Sequence, residues 1–531
     1  MSQSRARAPL GVLAFLLLVS CTGDPAPAPS TPLPVAADAE RDVNPQPRER
    51  LRDGGLLRFP ITALPTEWNP RHPDADADTA AVLAPLAPPH FSLDAAGRVT
   101  PDPDFITGLA VENTDRTVVT LDLNDRSLWG DAVPITASDW IATWRAASGQ
   151  VDGVRLADAT GWERVTEVRE GVSPRQVVVT YGALDPDWAQ PLVAGPLRGA
   201  DIGAPDSFAW SGYVDGRYAS PFMVTHVDQN QGLVTLERNP LWWGERPKLD
   251  TIMFRTVADE ALAAAFQNNE LDVWETGAST DRLDQSRVAA DSVIRSAPGT
   301  SGRELQVSRG GALADPAVRR AVLMALDRDD LGRPELPDGA KKLRTWSNTL
   351  LLPTQPGYVD QARATGLVHD PVRAGKLLDE AGWELESGRR VKDGQPLVVS
   401  FLTSPGDELA TAELKDVADQ LDAVGVVVSA ASRDADLTPL TVAVSPFPLA
   451  HLPEEAVSAP GASELAGRVA HELDPVRRAD QASQLARLLW QEVITVPLYQ
   501  EPEFVAVRSG LANLGAHSYA TTDWEDVGWT S

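Results

Sequence analysis

Apolar and polar positions alternate along this chain in two registers, predicting short strands mixed with amphipathic helices from about residue 53 onward. Residues 56–61 read as a first strand after the turn-forming Asp53-Gly54-Gly55. In residues 117–123, Val119, Leu121 and Leu123 fall on one face, as a half-buried strand requires. Residues 136–147 predict a helix, with Thr136 and Asp139 placed for a capping box and Trp140, Ile141 and Trp144 as the apolar stripe. Residues 233–238 and 251–256 read as strands around a loop rich in Trp and Pro. Asp315 can cap a helix that has Pro316 at its first position, followed by Val318, Ala321, Val322, Ala325 and Leu326 at helical spacing. Asp370-Pro371 opens another, which Gly382 stops. A strand at 397–402, a helix carrying Leu414, Val417, Ala418 and Leu421, and a buried strand at 426–428 come next. A long helix at 475–492 and strands near 495–499 and 504–507 complete an α/β pattern of sheets covered by helices.

The first twenty residues follow a different plan. Arg5 and Arg7 precede an apolar run at 10–19, which at about ten residues is half the ~20 a membrane-spanning helix needs. The run ends in Leu18-Val19-Ser20-Cys21, which resembles the lipobox of bacterial lipoproteins. That resemblance implies removal of residues 1–20 as a signal peptide and acylation of Cys21, leaving the protein outside the cytoplasm on the outer face of the cell membrane. The alternative is an ordinary signal peptide followed by a coincidental cysteine. Cys21 is the only cysteine, so the mature body has no disulfide and no thiolate site. Residues 21–52 are rich in Pro and Ala and poor in large apolar side chains, which predicts a disordered tether with a coil span of roughly 30 Å.

The remaining chain exceeds what one hydrophobic core usually organises, so two or more lobes are expected. A net charge of −28 argues against nucleic acid or anionic lipid as a partner and leaves the lipid as the one membrane contact. The seven histidines are scattered, and no H-E-x-x-H, G-x-S-x-G or P-loop spacing occurs. Adjacent acids such as Asp329-Asp330 and Glu454-Glu455 read as solvated faces. The expectation is a protein without catalytic residues, metal or cofactor.

Four blocks, in order, resemble the extracytoplasmic solute-binding proteins of ABC importers, in the oligopeptide- and dipeptide-binding class. They are Gly54-Gly55-Leu56-Leu57 with Leu64-Pro65-Thr66-Glu67-Trp68-Asn69-Pro70; Leu128-Trp129-Gly130-Asp131 through Asp139; Glu237-Arg238-Asn239-Pro240-Leu241-Trp242-Trp243-Gly244 with Pro247-Lys248-Leu249-Asp250; and Asp315-Pro316-Ala317-Val318-Arg319-Arg320-Ala321 through Arg328. The resemblance implies a two-lobed, periplasmic-binding-protein-like α/β clamp. Lobe 1 would hold residues 53–305 with a subdomain inserted at about 100–220, lobe 2 residues 306–493, and residues 494–531 would return to lobe 1. Crossings near 303–309 and 495–500 would form the hinge. A small peptide or similar solute would bind between the lobes of a monomer and pass to a permease driven by a separate ATPase.

Of the 15 tryptophans, Trp129, Trp140, Trp144, Trp242 and Trp243 fall in those blocks and are expected in cores. Trp68, Asn69, Trp274, Trp346 and Phe447 are candidate ligand contacts, each with a core role as its alternative. Arg303 and Arg309, beside the inferred hinge, could pair with a ligand carboxylate or bridge the lobes. The resemblance also implies an acid in lobe 2 for a peptide's ammonium group, but the corresponding stretch at 440–448 contains none; the nearest are Asp434, Asp436, Glu454 and Glu455. The segment from there to the last helix also looks short. That departure opens a second reading, a degenerate member of the fold acting as an envelope interaction or sensory module. A secreted hydrolase, the third, lacks a nucleophile–base pair.

Overall fold

A computed structural model describes residues 41–333, 336–338 and 345–530. Cys21, the signal peptide and most of the expected tether lie outside the described residues.

Lobe 1 is built on a four-stranded sheet in which Leu56–Ile61 pairs in parallel with Thr251–Thr256, followed by antiparallel Leu233–Arg238 and Phe222–Asp228. Its inward residues, among them Leu57, Leu236, Ile252 and Phe254, form one core with Trp68, Phe208 and Trp210. Inserted into this lobe is a second sheet, ordered Ile106–Asn113, Thr117–Leu123, Gln176–Tyr181 and Val165–Glu170. The helix Ala137–Ala147 packs with it, its capping box formed as the sequence predicts. The insert has its own core, which holds Trp129, Trp140 and Trp243, with Trp144 and Trp242 at its edge. Residues 197–218, expected within the insert, instead contribute Leu197, Ile202, Phe208, Trp210 and Tyr218 to the main lobe 1 core.

Lobe 2 packs the helices Pro316–Ala325, Pro371–Glu380 and Glu408–Asp422 around Leu305, Val307, Phe401 and Leu437. A neighbouring core gathers the helices Ala462–His471 and Pro475–Glu492. The helices that open at Pro316 and Pro371 carry the aspartate caps read from sequence, Asp315 on Ala317 and Asp370 on Arg373.

Two long antiparallel strands, Ser292–Val307 and Thr495–Arg508, run through both lobes at the centre of a six-stranded sheet. At one end Val273–Glu275 extends that sheet within lobe 1; at the other Leu437–Ala443, Val398–Leu402 and Val427–Ala431 extend it within lobe 2. Their ladder is regular from Ser292 to Pro298, breaks, and resumes at Gly302 opposite Gln500. A second irregularity follows between Arg303 and Glu304. Prolines at 298 and 502 withhold ladder donors at the first. Gln500 stitches the gap with its side-chain amide, donating to the Gly299 carbonyl at 2.6 Å and to the Thr354 hydroxyl at 3.0 Å.

The composition of residues 42–51 predicts tether, yet this stretch is packed. Asp42 pairs with Ala516 and Leu51 with Thr530, and Val43 and Leu51 are buried. Arg295 donates to the Val43 carbonyl at 3.1 Å, and the backbone N–H of Ser296 donates to Asp42 at 3.1 Å. The segment closes over the C-terminal tail, whose Leu511, Leu514, Ala516 and Val527 join the lobe 1 core.

Gly302 is dictated by its surroundings: a Cβ there would lie 2.4 Å from the ring of Trp346. Substitution Gly302→Ala should therefore cost roughly 1–3 kcal/mol by overpacking, read as a lower urea midpoint with unchanged slope.

Candidate functional site: the interlobe cleft

Alternation along the strand Ser292–Val307 builds the floor of a cleft. Leu305 and Val307 point into the lobe 2 core, and Arg303 on the same face donates to Glu413 at 2.9 and 2.6 Å. Period-two geometry turns Glu304 and Gln306 the other way. Both line a cavity of about 550 Å³ between lobe 2 and the inserted subdomain of lobe 1, a size suited to a small organic ligand. Trp346, Leu350, Leu440, Val442 and Phe447 give it apolar walls, and Asp158, Thr160 and Gln190 face it from lobe 1.

Glu304 is the chemically unusual group. Burial raises its carboxyl from the ordinary glutamate range to about 7, with the Thr495 hydroxyl beside it pulling the other way. Thr349, also on the cleft, has a buried hydroxyl without a hydrogen-bond partner.

The candidates from sequence divide cleanly. Trp346 and Phe447 line the cleft, Trp346 with its indole N–H fixed on the Leu351 carbonyl at 2.8 Å. Trp68 is buried in the lobe 1 core against Tyr213. Asn69 is fully buried and structural, donating to Phe208 at 2.8 Å and accepting from the backbone of Arg71 at 2.9 Å. Trp274 packs with Phe266 on the edge strand of lobe 1. Arg303 is committed to Glu413, and Arg309 is exposed beyond the end of its strand. Thus Trp68, Asn69, Trp274, Arg303 and Arg309 are not brought to the cleft. Asp436 ties strand ends together by accepting from the Ser400 backbone and hydroxyl at 2.8 and 2.7 Å. The acids that face the cleft are Glu304 and Asp158, both of which sequence reasoning missed.

The lobes meet above the cleft. Arg478 at the start of the last long helix pairs through its two terminal guanidinium nitrogens with Asp187 of the insert, one contact being 2.9 Å. Both side chains are nearly buried. His471 Nδ1 contacts the Leu184 carbonyl at 2.8 Å, and Gly97 lies against Pro446. The two lobes are therefore in contact beside a cleft whose floor is of mixed polarity. Among the described residues, no group of three or more His, Cys, Asp or Glu could hold a metal ion, and no helix is long and apolar enough to cross a membrane.

Two α/β lobes sharing central strands around a cleft define a two-lobed, periplasmic-binding-protein-like fold. The chain belongs to the bacterial extracellular solute-binding proteins, family 5, whose middle region matches residues 100–445. It is 32% identical over 522 residues to the oligopeptide-binding protein OppA of Mycobacterium tuberculosis, covering 92% of this chain and 87% of that one. In structure it resembles the periplasmic EDTA-binding protein EppA, with a TM-score of 0.78 at 22% identity over 93% of this chain and 99% of the other. It also resembles the oligopeptide-binding protein AppA from Bacillus subtilis in complex with a nonapeptide, with a TM-score of 0.66 at 17% identity over 91% of this chain and all of the other.

Two predictions follow from the cleft's electrostatics. Because folding raises the Glu304 carboxyl from 4.5 to about 7, the folded state holds more protons between those values. Glu304 therefore withdraws stability as pH rises through that window, up to roughly 3 kcal/mol once it is passed. Chemical denaturation of Glu304→Gln should show little change at pH 4.5 and a more stable protein at pH 8. Arg478→Ala should leave each lobe folded but weaken closure, seen as a larger radius of gyration in small-angle scattering and about tenfold weaker ligand binding.

Proposed function

We propose that the chain is the lipid-anchored substrate-binding component of an ABC importer, capturing a peptide or similar small solute and delivering it to a membrane permease. The observation that carries this reading is the cleft itself, a cavity of about 550 Å³ whose floor is the strand pair that joins the lobes. A ligand held there touches both lobes and binds the closed state better than the open one, which is the differential affinity that shifts a two-state clamp. Moving such a clamp from 1:99 to 99:1 takes roughly 5.5 kcal/mol of that difference. The relatives' peptide ligands support a peptide here, and the mixed polar and apolar lining accommodates a backbone together with an apolar side chain.

In this reading Cys21 carries the lipid and the body works as a monomer outside the cell membrane, binding its solute without chemically altering it. A solute-binding protein held this way stays within reach of its permease. The test is a thermal-shift screen of di- to hexapeptides, sugars and metal chelates, paired with detergent phase partitioning of the native chain and Cys21→Ser. A stabilising ligand and a shift of the variant into the aqueous phase are expected. Absence of any stabilising solute would remove the importer reading, and an unchanged partition would remove the anchor.

A further inference from the structure

Away from the cleft, a second cavity of about 620 Å³ opens on lobe 1, where the first strand Leu56–Ile61 meets the far end of the central ladder. Arg508 there pairs with Ser292, roughly 40 Å along the strand from Glu304. Among the described residues its lining carries three arginines, Arg52, Arg58 and Arg508, and two acids, Asp272 and Asp291. Arg58 takes Asp272 in a two-pronged pair, through Nε at 2.9 Å and a terminal nitrogen at 2.7 Å. Buried Arg508 is held instead by backbone carbonyls, Ala290 at 2.9 Å, Leu271 at 3.1 Å and Phe266, and its buried Nε has no hydrogen-bond partner. Carbonyl dipoles solvate a guanidinium charge without cancelling it, so two guanidinium groups share the one buried carboxylate of Asp272. At the mouth Arg52 and Asp291 are exposed. Gly55 brings Arg52 beside Trp529, since a Cβ there would lie 2.8 Å from the indole and 3.5 Å from the guanidinium. The indole N–H donates to the Leu56 carbonyl at 3.1 Å, and the Leu56 side chain is exposed next to it.

We infer that this cavity is a second binding site, on lobe 1, for a small oxyanion, phosphate or carboxylate, carried on an apolar or aromatic body. The oxyanion sits between Arg508 and Arg52 and supplies the negative charge that Asp272 alone does not. The body lies against Trp529 and Leu56. A net charge of −28 repels anions at long range, so a site for one requires arginines gathered at short range, as they are here. Planar guanidinium groups match the spacing of phosphate and carboxylate oxygens. Asp291 at the mouth disfavours a second anionic group on the same ligand. Arg52 directly follows the strap 42–51, on the side of the chain that leads to Cys21. A phospholipid headgroup and a soluble phosphate ester present the same oxyanion there, and the experiment separates them.

The experiment uses the full chain as Cys21→Ser, so that no acyl group contributes. Isothermal titration at pH 7.5 and constant ionic strength would compare inorganic phosphate, phenyl phosphate, benzoate and neutral benzyl alcohol. Phenyl phosphate should bind about tenfold tighter than inorganic phosphate, the worth of roughly 50 Å² of apolar contact. Trp529→Ala should erase that advantage. Arg52→Ala should weaken every oxyanion about tenfold with an unchanged melting temperature, and Arg52→Lys should recover part of the loss. Flotation with phosphatidylglycerol vesicles, set against phosphatidylcholine, identifies the source. Flotation that Arg52→Ala abolishes would assign a lipid headgroup, and titration without flotation a soluble ester; both support the inference. Failure of all three oxyanions to bind, benzyl alcohol binding as tightly as phenyl phosphate, or undiminished binding by Arg52→Ala would overturn it.

Discussion

The structure depends on one antiparallel ladder, the pairing of Ser292–Val307 with Thr495–Arg508. Neither strand belongs to one lobe. Leu305, Val307, Val496 and Leu498 enter the lobe 2 core while Ala297, Val505 and Val507 enter that of lobe 1, so the lobes are joined by hydrogen-bonded sheet rather than by loose linker. The ladder is irregular at two places, between Pro298 and Gly302 and between Arg303 and Glu304, and Gln500 holds the first gap.

The same strand couples motion to chemistry. Its alternation sends Leu305 and Val307 into a core and Glu304 onto the cleft floor, so the position of the carboxylate is fixed by the hydrophobic packing behind it. Glu413 under Arg303 reinforces that register: slipping the strand by one residue would expose the arginine and bury Glu304 without a partner. The inserted subdomain, carrying Asp187, completes the roof through Arg478. Cleft and clamp therefore share a single set of supports.

Much of this was legible in the sequence. The capping box at Thr136 and the aspartate caps at Asp315 and Asp370 are local signals with local outcomes, and the tryptophans of the family blocks pack as their apolar mass dictates. Whether an aromatic residue faces a core or a cleft is decided by what packs on it, which no local pattern reports. Trp68 and Trp346 look alike in sequence, and only the second meets the cavity. The central strand was hidden because Pro298, Gly299 and Gly302 interrupt its alternation, and with it went the signal that would have found Glu304. Residues 42–51 look like tether because they have few apolar side chains. They are held instead by backbone pairing and by two buried anchors, Val43 and Leu51.

The floor and the roof of the cleft differ in how their charges are satisfied. Arg478 and Asp187 pair across the lobes, so each nearly buried charge has its partner. Glu304 is desolvated on the floor with the Thr495 hydroxyl beside it, and burial pushes its carboxyl up to about 7. Burial of an unpaired charge is costly, so the floor subtracts stability that the hydrophobic packing behind the strand, through Leu305 and Val307, has to supply.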